Sequence, residues 1–211
     1  MFYCYPNSFT DEVLEVMASD PRFCRYLDMP FQHISDPVLK KMNRKITRKE
    51  IEATMSRVRS QLPDVAWRTT FIVGFPTETD QDFEELVDFV SEGHFQHLGI
   101  FLYSDEDNIR SSKFGDPIPL SLKEERKNRL MEIQQKISRE HHQKMVGSLQ
   151  QVLVGGFSSE TDLLLEGRNQ YQGPEVDGVV YINEGNATSA GFHQVEITEA
   201  HEYDLVGKIL N

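Results

Sequence analysis

The chain has 211 residues, is 38% hydrophobic, and carries 34 acidic against 22 basic residues for a net charge of −12. That length fits one large domain or one domain with a small companion, and the hydrophobic content excludes a disordered chain. The longest apolar runs are about five residues, far short of the ~20 that cross a bilayer, so no membrane span is expected.

Residues Met1 to Pro6 show neither the basic segment nor the apolar core of a signal peptide. Cys4 and Cys24 stand twenty residues apart, which fits a reduced, cytoplasmic protein and not a disulfide scaffold or a metal site. The acidic balance repels phosphate backbones and attracts basic partners.

The first strand is expected over Phe2 to Tyr5. Ser8 or Thr10 can cap a helix whose apolar face holds Val13, Leu14 and Met17. Tyr26 to Phe31 reads as a second strand. Asp36-Pro37 reads as an N-cap with proline at the first helical position. Thr47-Arg48-Lys49-Glu50 is a capping box that opens a helix with Ile51, Met55, Val58 and Leu62 on one face. Trp67 to Val73 reads as a strand buried on both faces. Gly74-Phe75-Pro76-Thr77 breaks it, and Thr79 caps a helix with Phe83, Leu86, Val87 and Val90 inward. His97 to Tyr103 is a fourth strand. A polar loop from Ser104 to Pro119 follows. Ser121 and Glu124 read as a capping box for a long helix to about Val146, with Glu125/Arg129 and Glu132/Lys136 as exposed ion pairs and His141-His142 on a solvated face.

After Gly147 the pattern becomes short and β-prone: Leu149–Val154, Leu163–Glu166, Gly178–Ile182, Gln194–Thr198 and Tyr203–Ile209, separated by turn formers such as Gly155-Gly156 and Gly173-Pro174. Five short strands in about 65 residues imply a small barrel of the OB type. The expected fold is therefore α/β over residues 1–146, a partial (β/α) barrel ending in a long helix, followed by an all-β OB-like barrel over 147–211. In such barrels the site lies at the carboxyl ends of the strands. The candidate ring is Gln32, His33 and Ser35, then Gly74 and Glu78, then Tyr103, Ser104 and Asp105.

Tyr26-Leu27-Asp28-Met29-Pro30-Phe31-Gln32-His33-Ile34-Ser35-Asp36 resembles the fourth strand and following helix of the radical-SAM methylthiotransferases. Arg68 to Thr79 with Asp82-Phe83-Glu84-Glu85-Leu86 is similar to that family's fifth-strand segment, and the β-rich tail resembles its TRAM domain. One branch of the family modifies an adenosine in tRNA. The other adds a methylthio group to the β-carbon of an aspartate in a basic small-subunit ribosomal protein. Gln32-His33, Arg68-Thr69-Thr70-Phe71, Pro174-Glu175-Val176-Asp177-Gly178 and Tyr203-Asp204-Leu205-Val206-Gly207 resemble the second branch. Charge points the same way: residues 147–211 hold ten acidic and two basic residues, a net −8. A tRNA-binding barrel is expected to be basic.

The resemblance implies S-adenosyl-L-methionine and two 4Fe-4S clusters. One cluster is held by a CxxxCxxC loop, and it reduces the cofactor to a 5′-deoxyadenosyl radical. The second, in an N-terminal domain, supplies sulfur. This chain has no CxxxCxxC. The expectation is a start beyond the cluster loop and no turnover by this chain alone, which leaves a binding-only remnant docking a basic protein as the alternative. Truncation, a mis-assigned start codon and a split gene would each give such a chain. Its first strand would then be an unprotected edge, with poor solubility as the result. By resemblance, Gln32, Ser35, Arg44, Arg68, Thr70 and Gly74 are the cofactor-binding candidates. Loop capping for Gln32, Ser35 and Thr70, surface ion pairing for the arginines and a plain turn for Gly74 are the alternatives. In the barrel, Arg168, His193 and Lys208 are possible contacts.

Overall fold

A computed structural model describes residues 1–105, 113–185, 187 and 190–210. The chain divides into two compact units: Met1–Phe23 with Leu27–Gln134, and Cys24–Tyr26 with Gln135–Asn211.

The first unit is built in the order α1 (Asp11–Ser19), β1 (Tyr26–Asp28), α2 (Asp36–Lys41), α3 (Arg48–Gln61), β2 (Ala66–Val73), α4 (Asp80–Ser91), β3 (His97–Leu102) and the start of α5 (Leu120–Gln143). The strands form one sheet in the order β1-β2-β3. β2 and β3 are parallel, with Arg68 opposite His97 and Thr70 opposite Gly99. The expected capping box of Thr47 with Glu50 forms at α3, and the Thr79 cap forms at α4 as a full box with Asp82. Each satisfies two helix-end amides at once. The inward residues of α3 and α4 are those the periodicity gave, with Ile51, Met55, Val58, Leu86 and Val90 buried. They cover Trp67, Phe71 and Val73 of β2, and Phe31, Trp67, Phe71 and Phe95 form a chain of tilted and edge-on ring contacts at 5.9–6.1 Å.

Four details differ from the sequence expectation. Residues 2–5 are not a strand. Cys4 N–H donates to Asp28 O and Asp28 N–H to Met1 O, both at 2.9 Å, but Tyr3 takes a left-handed φ of 55° that ends the pairing. β1 stops at Asp28; beyond it Gln32 makes an isolated parallel bridge to Phe71. β2 is buried on one face only: its Trp67, Thr69, Phe71 and Val73 are covered, while Arg68, Thr70 and Ile72 are half-buried. Finally α5 starts at Leu120, so Ser121 lies inside the helix rather than capping it, and Arg129 bonds Glu84 on α4.

The second unit is a closed barrel in the order β4-β5-β6-β8-β7, from β4 (Leu149–Phe157), β5 (Leu165–Arg168), β6 (Val180–Glu184), β7 (Gly191–Ala200) and β8 (Leu205–Ile209). Its core is Val152, Val154, Val180, Ile182, Val195, Ile197, Leu205 and Ile209. These alternate along their strands as a barrel interior requires. Gly155-Gly156, expected as a turn, lies within β4 at a register shift. The two motifs singled out in the tail have structural explanations. Asp177 accepts from Gly173 N–H and Tyr26 Oη, each at 2.7 Å, and Asp204 accepts from Val179 N–H at 2.8 Å. A Cβ on Gly207 would sit 2.5 Å from Val195 Cγ1, so the strands approach there only because glycine has none.

The buried face of α5 is polar. Lys123, Arg126 and Gln134 in the first unit, and Ser138 and His142 in the second, are all buried; Leu130 is the apolar exception. His142 is thus not on a solvated face.

Candidate functional site

The carboxyl ends of β1, β2 and β3 hold most of the polar side chains buried in the first unit. β2 ends in Gly74, whose φ of 75° lets the chain reverse. The Gly74 N–H donates to Glu78 Oε2 at 2.9 Å, so the turn is closed by a side chain four residues on. Glu78 is 5% exposed. Its Oε1 accepts from Arg126 Nη1 at 2.6 Å, while Arg126 Nη2 donates to Asp80 at 2.6 Å. Lys123, one turn earlier on α5, donates to Tyr103 O at 2.8 Å and pairs with Asp116. Its stem lies against Gly74, where a Cβ would collide with Lys123 Cγ. Two residues of one helix therefore clamp the turn.

His33 and Ser35 complete the network after β1. His33 is fully buried, with Nδ1 accepting from Ser35 N–H at 3.0 Å and Nε2 3.6 Å from Glu78 Oε2. Ser35 Oγ donates to Asp82. Burial pushes the Asp82 carboxyl up, but the hydrogen bonds from Ser35 and Thr79 outweigh it and hold the group below the usual carboxylate range.

Of the six cofactor candidates, Arg68 and Thr70 share the half-open face of β2, and Gln32 is held beside that strand by its backbone. Gln32 is half-buried, with φ of 74° and backbone bonds to Thr70 O and from Ile72 N–H at 2.8 and 2.9 Å. Arg68 and Thr70 lie on the half-buried face of β2, on either side of the position of Gly99: a Cβ there would come 3.3 Å from Arg68 Nη2 and 3.4 Å from Thr70 Oγ1. Ser35 and Gly74 instead give their polar hydrogens to Asp82 and Glu78. Arg44 makes a separate contact, its guanidinium 5.9 Å over the Tyr5 ring. Of the wider ring, Tyr103 is buried with its hydroxyl unpartnered, and Ser104 and Asp105 are exposed. Sequence reading passed over Lys123 and Arg126. Their signal was present, since 123, 126, 130 and 134 share a helix face, but charged residues on such a stripe read as solvent-facing.

The donor set of Arg68, Gln32 and Thr70 suits a zwitterionic nucleoside: a guanidinium for a carboxylate, and a carboxamide and a hydroxyl for ribose oxygens. It does not suit an iron–sulfur cluster, which needs thiolates. Cys4 is buried, its thiol pushed up by that burial; Cys24 is exposed elsewhere, and no grouping of three or more His, Cys, Asp and Glu among the described residues could hold a metal ion. In the barrel, Lys208 pairs with Glu196 at 3.2 Å, and burial together with the carboxylates of Asp204, Glu160 and Glu166 pushes the Tyr181 hydroxyl up. The surface field there is negative.

Two family models match the chain. Residues 2–90 match the Radical SAM superfamily and residues 146–210 match the TRAM domain. Coproporphyrinogen III oxidase (HemN) from Escherichia coli, a Radical SAM enzyme, shares the fold with a TM-score of 0.53 at 18% identity, over 64% of this chain and 31% of that one. The sheet unit and the closed barrel are thus a radical-SAM segment and a TRAM domain in one chain.

Over all 211 residues the chain is 46% identical to a Desulfotalea psychrophila protein named Ribosomal protein uS12 methylthiotransferase RimO, covering 48% of it. It is 48% identical to the Bdellovibrio bacteriovorus protein of the same name, covering 46%. The chain belongs to the radical-SAM methylthiotransferase family, and it spans about half the length of the curated relatives it matches. No helix among the described residues is long and apolar enough to cross a membrane.

Proposed function

We propose that this chain serves in methylthiolation of a ribosomal protein, the transfer of a methylthio group to the β-carbon of an aspartate in uS12. The observation that carries this reading is identity along the whole of this chain to relatives of that name, 46% and 48% for the two above, each of which it spans to about half. The acidic barrel supports it, because ten carboxylates against two cations suit a basic protein and oppose a phosphate backbone. In this reading residues 1–146 are the catalytic part and 147–211 the docking part.

S-adenosyl-L-methionine, when bound, supplies the radical that abstracts hydrogen from the target carbon. This chain's contribution would be to hold it: Arg68 would pair with the carboxylate, and Gln32 and Thr70 would bond the ribose oxygens. Glu78, Arg126 and Lys123 keep the turn beside them rigid. No group of three or more His, Cys, Asp and Glu among the described residues could hold a metal ion, so the role proposed for these residues is confined to holding the cofactor.

The test is binding of the whole chain to uS12 and to tRNA, side by side at physiological salt. Tighter binding to the protein supports the aspartate-modifying reading. Tighter, strongly salt-dependent binding to tRNA overturns it and favours the nucleoside-modifying branch.

A further inference from the structure

His33 directly follows the half-buried Gln32 but has no exposed surface. Its neighbours fix its tautomer. Ser35 N–H donates to Nδ1 at 3.0 Å, and a ring nitrogen that accepts a proton donor carries no proton itself. The ring proton therefore sits on Nε2. That nitrogen is buried without a hydrogen-bond partner. The acceptor it faces is Glu78 Oε2 at 3.6 Å, longer than a hydrogen bond but close enough for an unscreened electrostatic contact.

Glu78 Oε2 is also the atom that receives the Gly74 amide. The carboxylate is thus held from two sides, by the Arg126 guanidinium on Oε1 and by the imidazole N–H near Oε2. Where this carboxylate points decides where the Gly74 amide points, and Gly74 sets the direction in which the chain leaves β2. Ser35 reinforces the arrangement through its hydroxyl bond to Asp82 on α4.

We propose that His33 is a positioning residue: through Glu78 it fixes the Gly74 amide, and so the turn that closes β2 beside Gln32 and Thr70. It acts without touching a ligand. The functional weight of this assignment rests on the reading that this sheet end takes the cofactor.

Two substitutions separate the ring's two roles. His33→Asn keeps an acceptor where Nδ1 serves Ser35 but offers nothing toward Glu78. His33→Gln keeps a donor near the Nε2 position but offers Ser35 no acceptor. In the whole chain near neutral pH, ring nitrogen spectra report the tautomer, with His33→Asn assigning the signal. Amide exchange at Gly74 is read against Ile100 on β3, and uptake of S-adenosyl-L-methionine by calorimetry. We expect an Nε2–H ring, Gly74 exchange faster by about tenfold in His33→Asn with Ile100 little changed, and near wild-type Gly74 exchange in His33→Gln. Cofactor affinity falls in His33→Asn and not in His33→Gln. An Nδ1–H ring, or equal loss of protection at Gly74 and Ile100 in both variants, overturns the proposal. Failure of the unsubstituted chain to take up the cofactor overturns the cofactor reading instead, while the exchange data still decide on His33.

Discussion

Arg126 and Glu78, 48 residues apart in the chain, meet at 2.6 Å with side chains 4% and 0% exposed. This pair joins α5 to the turn after β2, and the consequences of breaking it are calculable.

Replacing Arg126 by methionine leaves the Glu78 carboxylate buried without its counter-charge. The expected loss is about 3–5 kcal/mol, and Arg126→Met combined with Glu78→Gln should recover a large part of it. Urea unfolding followed by the fluorescence of Trp67, the sole tryptophan and fully buried in this unit, measures both. A single-variant loss no larger than the double-variant loss would mean that the pair is not closed from water.

Gly74 and Gly93 form a matched pair. Their φ angles are 75° and 73°, but a Cβ at 74 collides with the Lys123 stem whereas one at 93 meets nothing within 4 Å. Alanine at 93 should cost about 1 kcal/mol for the left-handed backbone alone. Alanine at 74 should cost distinctly more, because Lys123 must also leave Tyr103 O and Asp116. Thermal unfolding of the two variants gives the difference, and equal shifts would show that Lys123 yields freely.

His142 carries a pH dependence. Burial holds its imidazole below the ordinary value of 6.5, against the opposing pull of the His201 carbonyl and the charges of Asp204 and Asp177. A lowered pKa means that the neutral ring is the stabilising form. Its contribution is complete above the unfolded value of 6.5 and is lost as pH falls from there through the folded value. The barrel unit should therefore weaken over that window, and His142→Gln should flatten the response. Urea midpoints read from β7 amide signals on either side of the window test this.

Reversing Glu160 and Glu166 to lysine should weaken binding to uS12 by on the order of a few-fold per charge and reduce its salt dependence. Tyr181 reports the change directly, since those two carboxylates help to raise its hydroxyl pKa. Unchanged affinity with a lowered Tyr181 pKa would separate the field from the docking role.

The apolar periodicity made the scaffold readable. Ile51, Met55 and Val58 on α3 and Leu86 and Val90 on α4 are inward as their spacing requires, and the Thr47 and Thr79 caps stand where their motifs put them. The clamp was not readable, because Lys123 and Arg126 are buried charges tied to the strand ends by partners far along the chain, Tyr103 O twenty residues from Lys123 and Glu78 forty-eight from Arg126, with Asp116 the one nearby partner. Local sequence carries no trace of such pairing. The segment around Tyr3 failed for another reason: backbone bonds to Asp28 hold it, but a single left-handed residue keeps it from being a strand. Arg68 and Thr70 were legible as candidates but not as members of one half-open face, which depends on where helices cover β2.

The buried stripe of α5 also acts as a gauge. Lys123 is bound at the carboxyl end of β3, through Tyr103 O, and Gln134 at its other end, through Phe95 O and Gln96 O. Eleven residues of helix measure about 16 Å, against about 20 Å for the six residues of β3, and the long Lys123 and Gln134 side chains make up the difference. Deleting one residue between these two anchors would shorten that span by about 1.5 Å and swing everything beyond it by about 100°. Helix and strand can therefore change length in evolution only in step, and this stretch of α5 should tolerate substitution far better than insertion.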